Sequence, residues 1–374
     1  MKIYIIAGEA SGDLHASNLL RAILQQSNTT EVRYWGGHLM QEVINIPPIK
    51  HYKELAFMGF AEVITHLPEI LGNFSTCKKD ILQFQPDIVV LVDYPGFNLR
   101  IAKWAKLQGF QVHYYISPKV WAWKKSRVFQ IKKYVDKLYT IFPFETDFFK
   151  EYEYNVTYVG NPLIDAINHY KSNQTAENFH TKYELRNKPI IALLPGSRKQ
   201  EIRTKLPVML EATKQFHNYQ LIIAGAPSFD TSFYAPYLKG REAKVVFGAT
   251  YSVLEHAEAA LVTSGTATLE TALFHVPQVV CYIASPISYA IAKRLIKIKY
   301  ISLVNLIFDK EVVPELIQHE CTPEIVNREL KEILQGGRKR EKQINDYKEL
   351  TNMLGNGSAS TEVARHLFQS IKNS

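Results

Sequence analysis

The sequence predicts an α/β protein made of two doubly wound halves with parallel sheets. Three observations support this fold class: short apolar runs alternate with amphipathic stretches, the alternation restarts after a polar segment at 169–188, and 374 residues exceed what one core usually supports. We therefore expect an N-terminal domain over 1–168, a second domain facing it over 189–335, and C-terminal helices over 336–374. These helices are expected to pack back on the N-terminal domain or against a second copy of the chain.

The apolar runs of each half predict strands that are buried on both faces of a sheet. In the first half these are KIYIIA, DIVVLV, QVHYYI and KLYTIF, and in the second PIIALL, QLIIAG, AKVVFG, AALVTS and PQVVCYI. Helices are predicted at 13–26, 99–107 and 144–152. Ligands of such sheets bind outside the carboxyl ends of the strands, so the residues that follow these runs are candidates for a functional site.

The composition favours a soluble cytoplasmic protein with anionic partners. The net charge is +8 and the sequence pI is about 9.1, which suits nucleotides or phospholipids. Nucleic acid is disfavoured because no recognised binding module accompanies the charge. The three cysteines are scattered and predict reduced thiols. The N-terminal apolar run is too short for a signal peptide, and the stretch 276–292 falls short of a membrane-spanning helix.

A carboxylate follows one of the buried strands directly. Five apolar residues, Ile88–Val92, precede Asp93, and Pro95 and Gly96 predict an immediate turn. An apolar strand end raises the pKa of a carboxylic acid and makes its anion a better base at neutral pH. Asp93 is therefore the candidate catalytic base, and a role as a helix cap or turn residue is the alternative.

The first strand leads into a helix through the segment AGEASGDLHAS. Gly8 and Gly12 allow a tight turn, and Ser11 or Asp13 is expected to cap the helix. The Gly-x-Gly-x-x-Gly spacing of dinucleotide sites is absent, and Glu9 would repel a pyrophosphate. The segment is either a plain turn or a contact for a ligand that carries hydroxyl groups.

The segment LLPGSRKQEI, which ends the first strand of the second half, predicts a phosphate contact. Gly196 and Ser197 form a turn that directs backbone N–H groups outward, and Arg198 adds a cation with bidentate reach. The alternative is a capped helix start with a surface arginine.

The segment TSGTATLE predicts a second anion contact at an equivalent strand end. Ser264, Gly265 and Thr266 open a helix whose N-terminus favours negative charge, and Glu270 suits the hydroxyls of a ribose. An ordinary N-cap is the alternative. Together with Arg198, these residues are better explained as a site for a diphosphate and its sugar.

A tryptophan–lysine segment at 121–137 combines two tryptophans with six basic residues, a composition typical of a membrane–water interface. The residues predicted to lie at that interface are Trp121, Trp123, Lys124, Lys125 and Arg127. A second cationic and apolar segment is ISYAIAKRLIKIKY. The alternative for each is a solvated helix face with buried aromatic anchors. None of the twelve histidines shows a metal-ligand spacing, so no metal and no cofactor are expected.

Seven motifs, in this order, resemble those of the lipid-A-disaccharide synthase family: AGEASGD, ELAFMGFAEV, LVDYPGFN, YYISPKVWAWKKSR, LLPGSRKQEI, SGTATLE and ISLVNLI. The resemblance implies an inverting glycosyltransferase with two facing Rossmann-like domains of the GT-B type. Its donor would be UDP-2,3-diacylglucosamine, its acceptor 2,3-diacylglucosamine 1-phosphate, and its products the lipid A disaccharide 1-phosphate and UDP. It would work as a peripheral protein on the anionic, cytoplasmic face of a Gram-negative bacterial membrane.

The resemblance also implies roles for single residues. Asp93 matches the catalytic base of the family, and Gly96 stands where the family often has another acidic residue. On the nucleotide side of the second domain the matching residues are Arg198, Glu270 and Asn305. On the acceptor side of the N-terminal domain they are Glu9, Ser11, Met58 and Asn98.

Two other functions fit the same residues. A sugar-nucleotide epimerase or a soluble glycosyltransferase on this scaffold would not need the tryptophan–lysine segment. A non-catalytic basic protein that docks on anionic membranes or nucleic acid would not bind UDP. The sequence leaves open whether the chain forms a homodimer.

Overall fold

The computed structural model describes residues 1–55, 67–122, 125–173, 179–285, 289, 299–355 and 357–372. Met58, Trp123, Lys124 and most of the second cationic segment lie outside these residues. The chain forms two compact units, which are described separately below. Unit 1 comprises Met1–His169 and Leu354–Ser374, and unit 2 comprises Tyr170–Met353.

Unit 1 contains a parallel sheet of seven strands in the order β3-β2-β1-β4-β5-β6-β7. The strands are β1 (Lys2–Ala7), β2 (Glu31–Gly36), β3 (Lys50–His51), β4 (Ile88–Val92), β5 (Gln111–Tyr115), β6 (Lys137–Thr140) and β7 (Thr157–Tyr158). The central strands are almost completely buried because helices cover both faces of a parallel sheet.

The helices of unit 1 lie between these strands, as the crossover connections of a parallel sheet require. They are α1 (Ala10–Gln26), α2 (His38–Ile44), α3 (Leu67–Phe84), α4 (Pro95–Leu107), α5 (Arg127–Tyr134), α6 (Pro143–Lys150) and α7 (Pro162–Ser172), which ends in unit 2. A short 3₁₀ turn covers Tyr52–Glu54.

Unit 2 contains a parallel sheet of six strands in the order β10-β9-β8-β11-β12-β13. The strands are β8 (Ile190–Leu194), β9 (Gln220–Gly225), β10 (Ala243–Phe247), β11 (Ala257–Thr263), β12 (Gln278–Tyr282) and β13 (Glu315–Ile317). The helices are α8 (Phe179–Lys182), α9 (Lys199–Ala212), α10 (Thr231–Leu238), α11 (Thr250–Glu255), α12 (Thr266–Leu273), α13 (Leu303–Phe308), α14 (Pro323–Ile333) and α15 (Arg340–Leu354). A 3₁₀ turn covers Gln318–Glu320.

The C-terminal helices divide between the two units. In α15, Gln343 Oε1 accepts a hydrogen bond from the Gln278 backbone of unit 2 at 2.9 Å. The last helix, α16 (Ala359–Lys372), packs on α1 in unit 1. Its Ser360 N–H donates to the Asp165 carboxylate at 2.8 Å. The chain therefore starts and ends in the same unit.

Each sheet has one point at which the strand order reverses, and ligands of open α/β sheets bind at such a switch point. In unit 1 it lies between β1 and β4, where Ala7 pairs with Val92. In unit 2 it lies between β8 and β11, where Leu194 pairs with Val262. The predicted fold class of two Rossmann-like α/β domains with a helical C-terminal segment is confirmed, and the turns predicted to carry the site follow the four strands at these two points.

Candidate active site

Asp93 lies in a strained turn at the carboxyl end of β4. Asp93 and Tyr94 both have left-handed backbones, with φ of 44° and 49°. The Asp93 N–H still continues the sheet by donating to the Tyr115 carbonyl at 3.0 Å. Residues other than glycine seldom adopt positive φ, and such conformations cluster at functional sites when the surrounding structure enforces them. The turn therefore belongs to Asp93 and Tyr94, and Pro95 begins α4.

Two buried side chains enforce this turn. The Asn98 amide donates to the carbonyl oxygens of Asp93 at 2.8 Å and Val92 at 3.2 Å. The Tyr114 hydroxyl donates to the Asp93 carbonyl at 2.5 Å. Asn98 is fully buried, so the structure places it behind the strand end, where it holds the backbone of Asp93.

Burial, and to a smaller extent the nearby carboxylate of Glu9, raise the pKa of Asp93 to about 6. The positive charge of Lys119 and a hydrogen bond from the Tyr94 backbone oppose this shift. A group with such a pKa is largely ionised at neutral pH and is still basic enough to accept a proton in a reaction. The structure thus combines at Asp93 the burial, position and basicity that a general base needs.

Glu9 and Ser11 lie on the other side of the same switch point, at the start of α1. Glu9 is the N-cap residue and is partly buried, whereas Ser11 is exposed. Gly8 lets the ring of Tyr94 pack over this turn, because a Cβ at Gly8 would lie 2.2 Å from Tyr94 Cδ1. The turns after β1 and β4 are therefore in direct contact.

The expectation that Ser11 or Asp13 caps α1 is wrong, since no side chain caps this helix. Asp13 instead caps α2, where its carboxylate accepts hydrogen bonds from the N–H groups of Gly37 at 2.7 Å, Leu39 at 3.1 Å and Met40 at 3.3 Å. This contact links residues that are far apart in the sequence, so local capping patterns do not reveal it.

The turn after β8 presents the guanidinium group of Arg198, which is largely exposed. The N–H groups of Ser197 and Arg198, however, donate to Glu201 Oε2 at 3.2 and 3.3 Å. The prediction that this turn directs free N–H groups outward is therefore wrong. The negative charge of Glu201 disfavours an anion at this part of the backbone, so the Arg198 side chain is the anion contact that this turn offers.

The turn after β11 differs in this respect. Gly265 has a φ of 154°, which favours glycine, and α12 begins at Thr266. Within the described ranges, no acceptor contacts the N–H groups of Thr266 and Ala267. The Ser264 hydroxyl donates to the carbonyl of Ile301 at 2.9 Å and so ties the turn to the segment before α13. The N-terminus of α12 can thus bind an anion.

Glu270 lies one turn further along α12 and is partly buried. Burial raises its pKa, and a hydrogen bond from the Tyr251 hydroxyl, 3.0 Å from Oε1, opposes that shift. The second carboxylate oxygen stays available to a ligand hydroxyl, since neither a cation nor another donor contacts it among the described residues.

Asn305 is fully buried, and its amide is used within unit 2. Its Oδ1 accepts from the N–H groups of Val312 and Val313, and its Nδ2 donates to Val313 O and to Glu315 Oε1. Glu315, which the sequence interpretation missed, also accepts from the backbone of Ile301 at 2.9 Å. Asn305 and Glu315 therefore shape the segment that Ser264 contacts.

Comparison with known proteins decides the family. The family model described as Lipid-A-disaccharide synthetase matches residues 3–367. The Lipid-A-disaccharide synthase of Myxococcus xanthus (strain DK1622) is 36% identical over 376 residues, which cover 98% of this chain and 97% of the relative. The chain belongs to the lipid-A-disaccharide synthetase family. The resemblance inferred from the seven motifs is confirmed.

Two solved structures share the fold of this lipid-A-disaccharide synthetase family member. UDP-GlcNAc 2-epimerase from Neisseria meningitidis, bound to UDP-GlcNAc, aligns with a TM-score of 0.70 at 13% identity, over 99% of this chain and 100% of that chain. CalG4, the calicheamicin glycosyltransferase, aligns with a TM-score of 0.61 at 14% identity, over 100% and 98%. At these identities the similarity concerns the fold alone.

In this family member the tryptophan–lysine segment contains both partly buried and exposed side chains. Trp121 is half-buried, donates from Nε1 to Glu145 at 3.3 Å and packs edge-on against Phe144 at 5.1 Å between ring centroids. Lys125 is exposed and lies 5.8 Å from the ring centroid of Phe148, and Arg127 begins α5. No helix in the described ranges is both long enough and apolar enough to span a bilayer.

Proposed function

We propose that Asp93 is the general base with which this family member joins two acylated glucosamine units. As a lipid-A-disaccharide synthetase it is a glycosyltransferase that forms the lipid A disaccharide. The donor is UDP-2,3-diacylglucosamine, the acceptor is 2,3-diacylglucosamine 1-phosphate, and UDP is released. The observation that carries the proposal is a partly buried carboxylate, with a raised pKa, at the switch point of unit 1.

The chemical step is an in-line displacement at the anomeric carbon of the donor. Asp93 accepts the proton of the acceptor hydroxyl while the hydroxyl oxygen attacks the face opposite UDP. The bond from the anomeric carbon to the phosphate oxygen breaks, and UDP leaves with that electron pair. Inversion follows from this geometry, and a base with a pKa of about 6 suits the proton transfer at neutral pH.

The proposed UDP site is the switch point of unit 2. The unpaired N–H groups at the start of α12 and the exposed guanidinium of Arg198 suit the two phosphates. The free oxygen of Glu270 suits a ribose hydroxyl. At the start of α9, in contrast, the Glu201 carboxylate accepts from the N–H groups of Ser197 and Arg198 and disfavours an anion, which supports α12 as the helix that faces the diphosphate.

The proposal includes peripheral docking on the cytoplasmic face of an anionic membrane. Exposed basic and apolar side chains on α4, on α5 and just before α5 support it; they are Lys103, Leu107, Lys125, Phe129 and Lys133, and together they are called the basic-aromatic surface. Leu107 and Phe129 expose 66% and 63% of their surface, which is unusual for large apolar side chains. Trp121 is better regarded as a packing anchor beneath the segment than as a membrane contact.

Turnover with the two acylated sugars, combined with calorimetric titration of UDP, tests the proposal. Asp93→Asn keeps the shape of the side chain but cannot accept the proton, so turnover should fall roughly 100- to 10,000-fold. UDP affinity should stay at the parental value. The melting temperature should not fall, because a buried charge has been removed.

Each alternative has its own signature in these measurements. A sugar-nucleotide epimerase would bind UDP without joining the acylated sugars, and a non-catalytic membrane protein would not bind UDP. Near-parental turnover of Asp93→Asn would reject Asp93 as the base, whereas loss of folding would assign it a structural role.

A further inference from the structure

Lys205 is a buried lysine near the turns that form the proposed UDP site. It lies on α9 with 2% of its surface exposed, and its Nζ donates to Thr263 Oγ1 at 2.7 Å. An ammonium group has three N–H donors. Among the described residues only Thr263 accepts from it, although the ring centroid of Tyr282 lies 5.9 Å away. A buried cation with unused donors calls for an anionic or polar partner.

The position of Lys205 indicates what that partner is. Thr263 is the last residue of β11 and precedes the Ser264–Gly265 turn directly. The same turn leads to the unpaired N–H groups at the start of α12. Lys205 therefore places its positive charge at the carboxyl end of β11, next to the turn that leads to these groups.

The charged and titratable groups around Lys205 come from three regions. At the start of α9 these are Arg198, the N-cap residue, and Glu201, which lies one helical turn before Lys205. On β12 they are Cys281 and Tyr282, and Cys321 follows the 3₁₀ turn after β13. Burial lowers the pKa of Lys205, Arg198 lowers it further, and Glu201 and the two thiols oppose this shift.

We propose that Lys205 is a positioning residue for the diphosphate of UDP, acting through Thr263 and the start of α12 and through its own poorly screened charge. This inference rests on the proposed function, because it requires UDP to bind at the switch point of unit 2. A charge in a site that excludes water interacts more strongly with an anion than a surface charge does. Lys205 thereby stabilises UDP as a leaving group.

The test is calorimetric titration of UDP into the parent and Lys205→Met. Methionine keeps the length and volume of the side chain and removes its charge. UDP affinity at about pH 7.5 should fall roughly tenfold, the effect expected for one charge-assisted interaction. The melting temperature should stay the same or rise, because an incompletely paired buried cation has been replaced by an apolar group.

The pH dependence separates this role from a purely structural one. Because the free protein has a lowered Lys205 pKa, UDP binding should favour the charged form and draw a proton onto it. At about pH 9, below the ordinary lysine pKa of about 10.4, the parent should take up protons on binding UDP, measurable in two buffers of different ionisation enthalpy. Lys205→Met should show less uptake, while contributions from Cys321 and Tyr282 persist in both proteins.

Arg203→Met is the matched control, since it removes one exposed positive charge from the same helix. It should bind UDP like the parent. Equal UDP affinity and equal proton uptake in Lys205→Met and the parent would overturn the inference and leave the UDP site intact. A large fall in melting temperature, or failure to fold, would assign Lys205 a structural role and overturn it too. Absence of UDP binding in the parent would instead reject the proposed function.

Discussion

At the scale of single residues, the backbone of Asp93 and its charge are stabilised by different groups. Left-handed conformations at Asp93 and Tyr94 cost of order 1–3 kcal/mol each, and the buried hydrogen bonds to the Asp93 carbonyl offset that cost. The carboxylate is controlled instead by burial and by Glu9.

Glu9→Gln should move the pH profile of kcat/KM. Asp93 must be ionised to act as a base, so parental activity should fall as the pH drops through about 6. Removing the Glu9 charge removes one of the two causes that raise the Asp93 pKa, so this acidic limb should move to lower pH. The profile should be measured with both acylated sugars, and Glu42→Gln, an exposed carboxylate on α2, is the control. An unmoved limb would show that Glu9 does not act on the base.

Arg198→Ala should weaken UDP binding about ten- to a hundredfold, because a charge-assisted hydrogen bond contributes roughly 1.5–3 kcal/mol. The guanidinium is largely exposed and lies 3.8 Å from Glu201, so its loss should hardly change the melting temperature. Titration of UDP into the variant measures the effect, with Arg203→Ala as the comparison. Unchanged affinity would place the phosphate contact elsewhere.

At the scale of elements, the N-termini of α9 and α12 occupy equivalent places but have different electrostatic character. Just before α9, the N–H groups of Ser197 and Arg198 donate to the Glu201 carboxylate, whose negative charge opposes the positive end of the helix dipole. In α12 Glu270 lies too far along the helix to do so and bonds to Tyr251. The negative charge of Glu201 therefore disfavours an anion at the start of α9, whereas Glu270 leaves the start of α12 open to one.

Asn98→Ala should impair both stability and catalysis, because Asn98 connects α4 to the strand end that carries Asp93. Its amide donates to three carbonyl oxygens, those of Ile6, Val92 and Asp93. Their loss should lower the free energy of unfolding by about 1–3 kcal/mol. kcat should fall as well, since the strained turn loses its support.

Asn327→Ala is the matched control for Asn98→Ala. The Asn327 amide also donates to a backbone carbonyl, that of Ala212 at 2.7 Å, but it lies on α14 in unit 2. Urea denaturation and turnover should be measured for both variants. Asn327→Ala should lose stability and keep kcat, and a similar retention of kcat in Asn98→Ala would show that the Asn98 contact is only structural.

At the scale of the whole molecule, part of the net charge of +8 lies on the basic-aromatic surface proposed for membrane docking. Lys103 and Lys133 both lie close to the ring of Tyr134, at 5.8 and 5.5 Å from its centroid. Such cations beside exposed apolar side chains suit the interface of an anionic bilayer. The attraction should weaken with salt, because exposed charges are screened.

Replacing Lys125 and Phe129 together, by Gln and Ser, should reduce co-sedimentation with vesicles that contain anionic lipid. The variant loses one cation and one exposed apolar side chain of the basic-aromatic surface, and its fold should be unaffected because both are exposed. The control removes the same two features from α15, by Lys342→Gln and Met353→Ser. Equal co-sedimentation of the two double variants would reject this surface as the membrane contact.

The sequence by itself determined the fold class, the family and the turns at the strand ends that carry the proposed site. These features depend on neighbouring residues in the sequence. A buried parallel strand is encoded by a continuous apolar run, and a site at a strand end is encoded by a short motif. The sequence does not determine a helix boundary where the same residues favour both a turn and a helix start. Pro95 and Gly96 predicted a turn, yet they form the first turn of α4, because proline is favoured at a helix N-terminus. Strand β2 was not predicted because its sequence, EVRYWG, is not a continuous apolar run.

Only the tertiary structure decided how the individual side chains are used. Asn98 and Asn305 belong to the family motifs, but both are buried and their amides bind backbone groups. Asp13 lies on α1 but caps α2. In the sequence nothing distinguishes Lys205 from the other lysines, because its partner Thr263 is 58 residues away. A hydrogen bond depends on which groups the fold brings within about 3 Å of each other. That proximity is set by the packing of distant elements, and no local pattern of residues contains it.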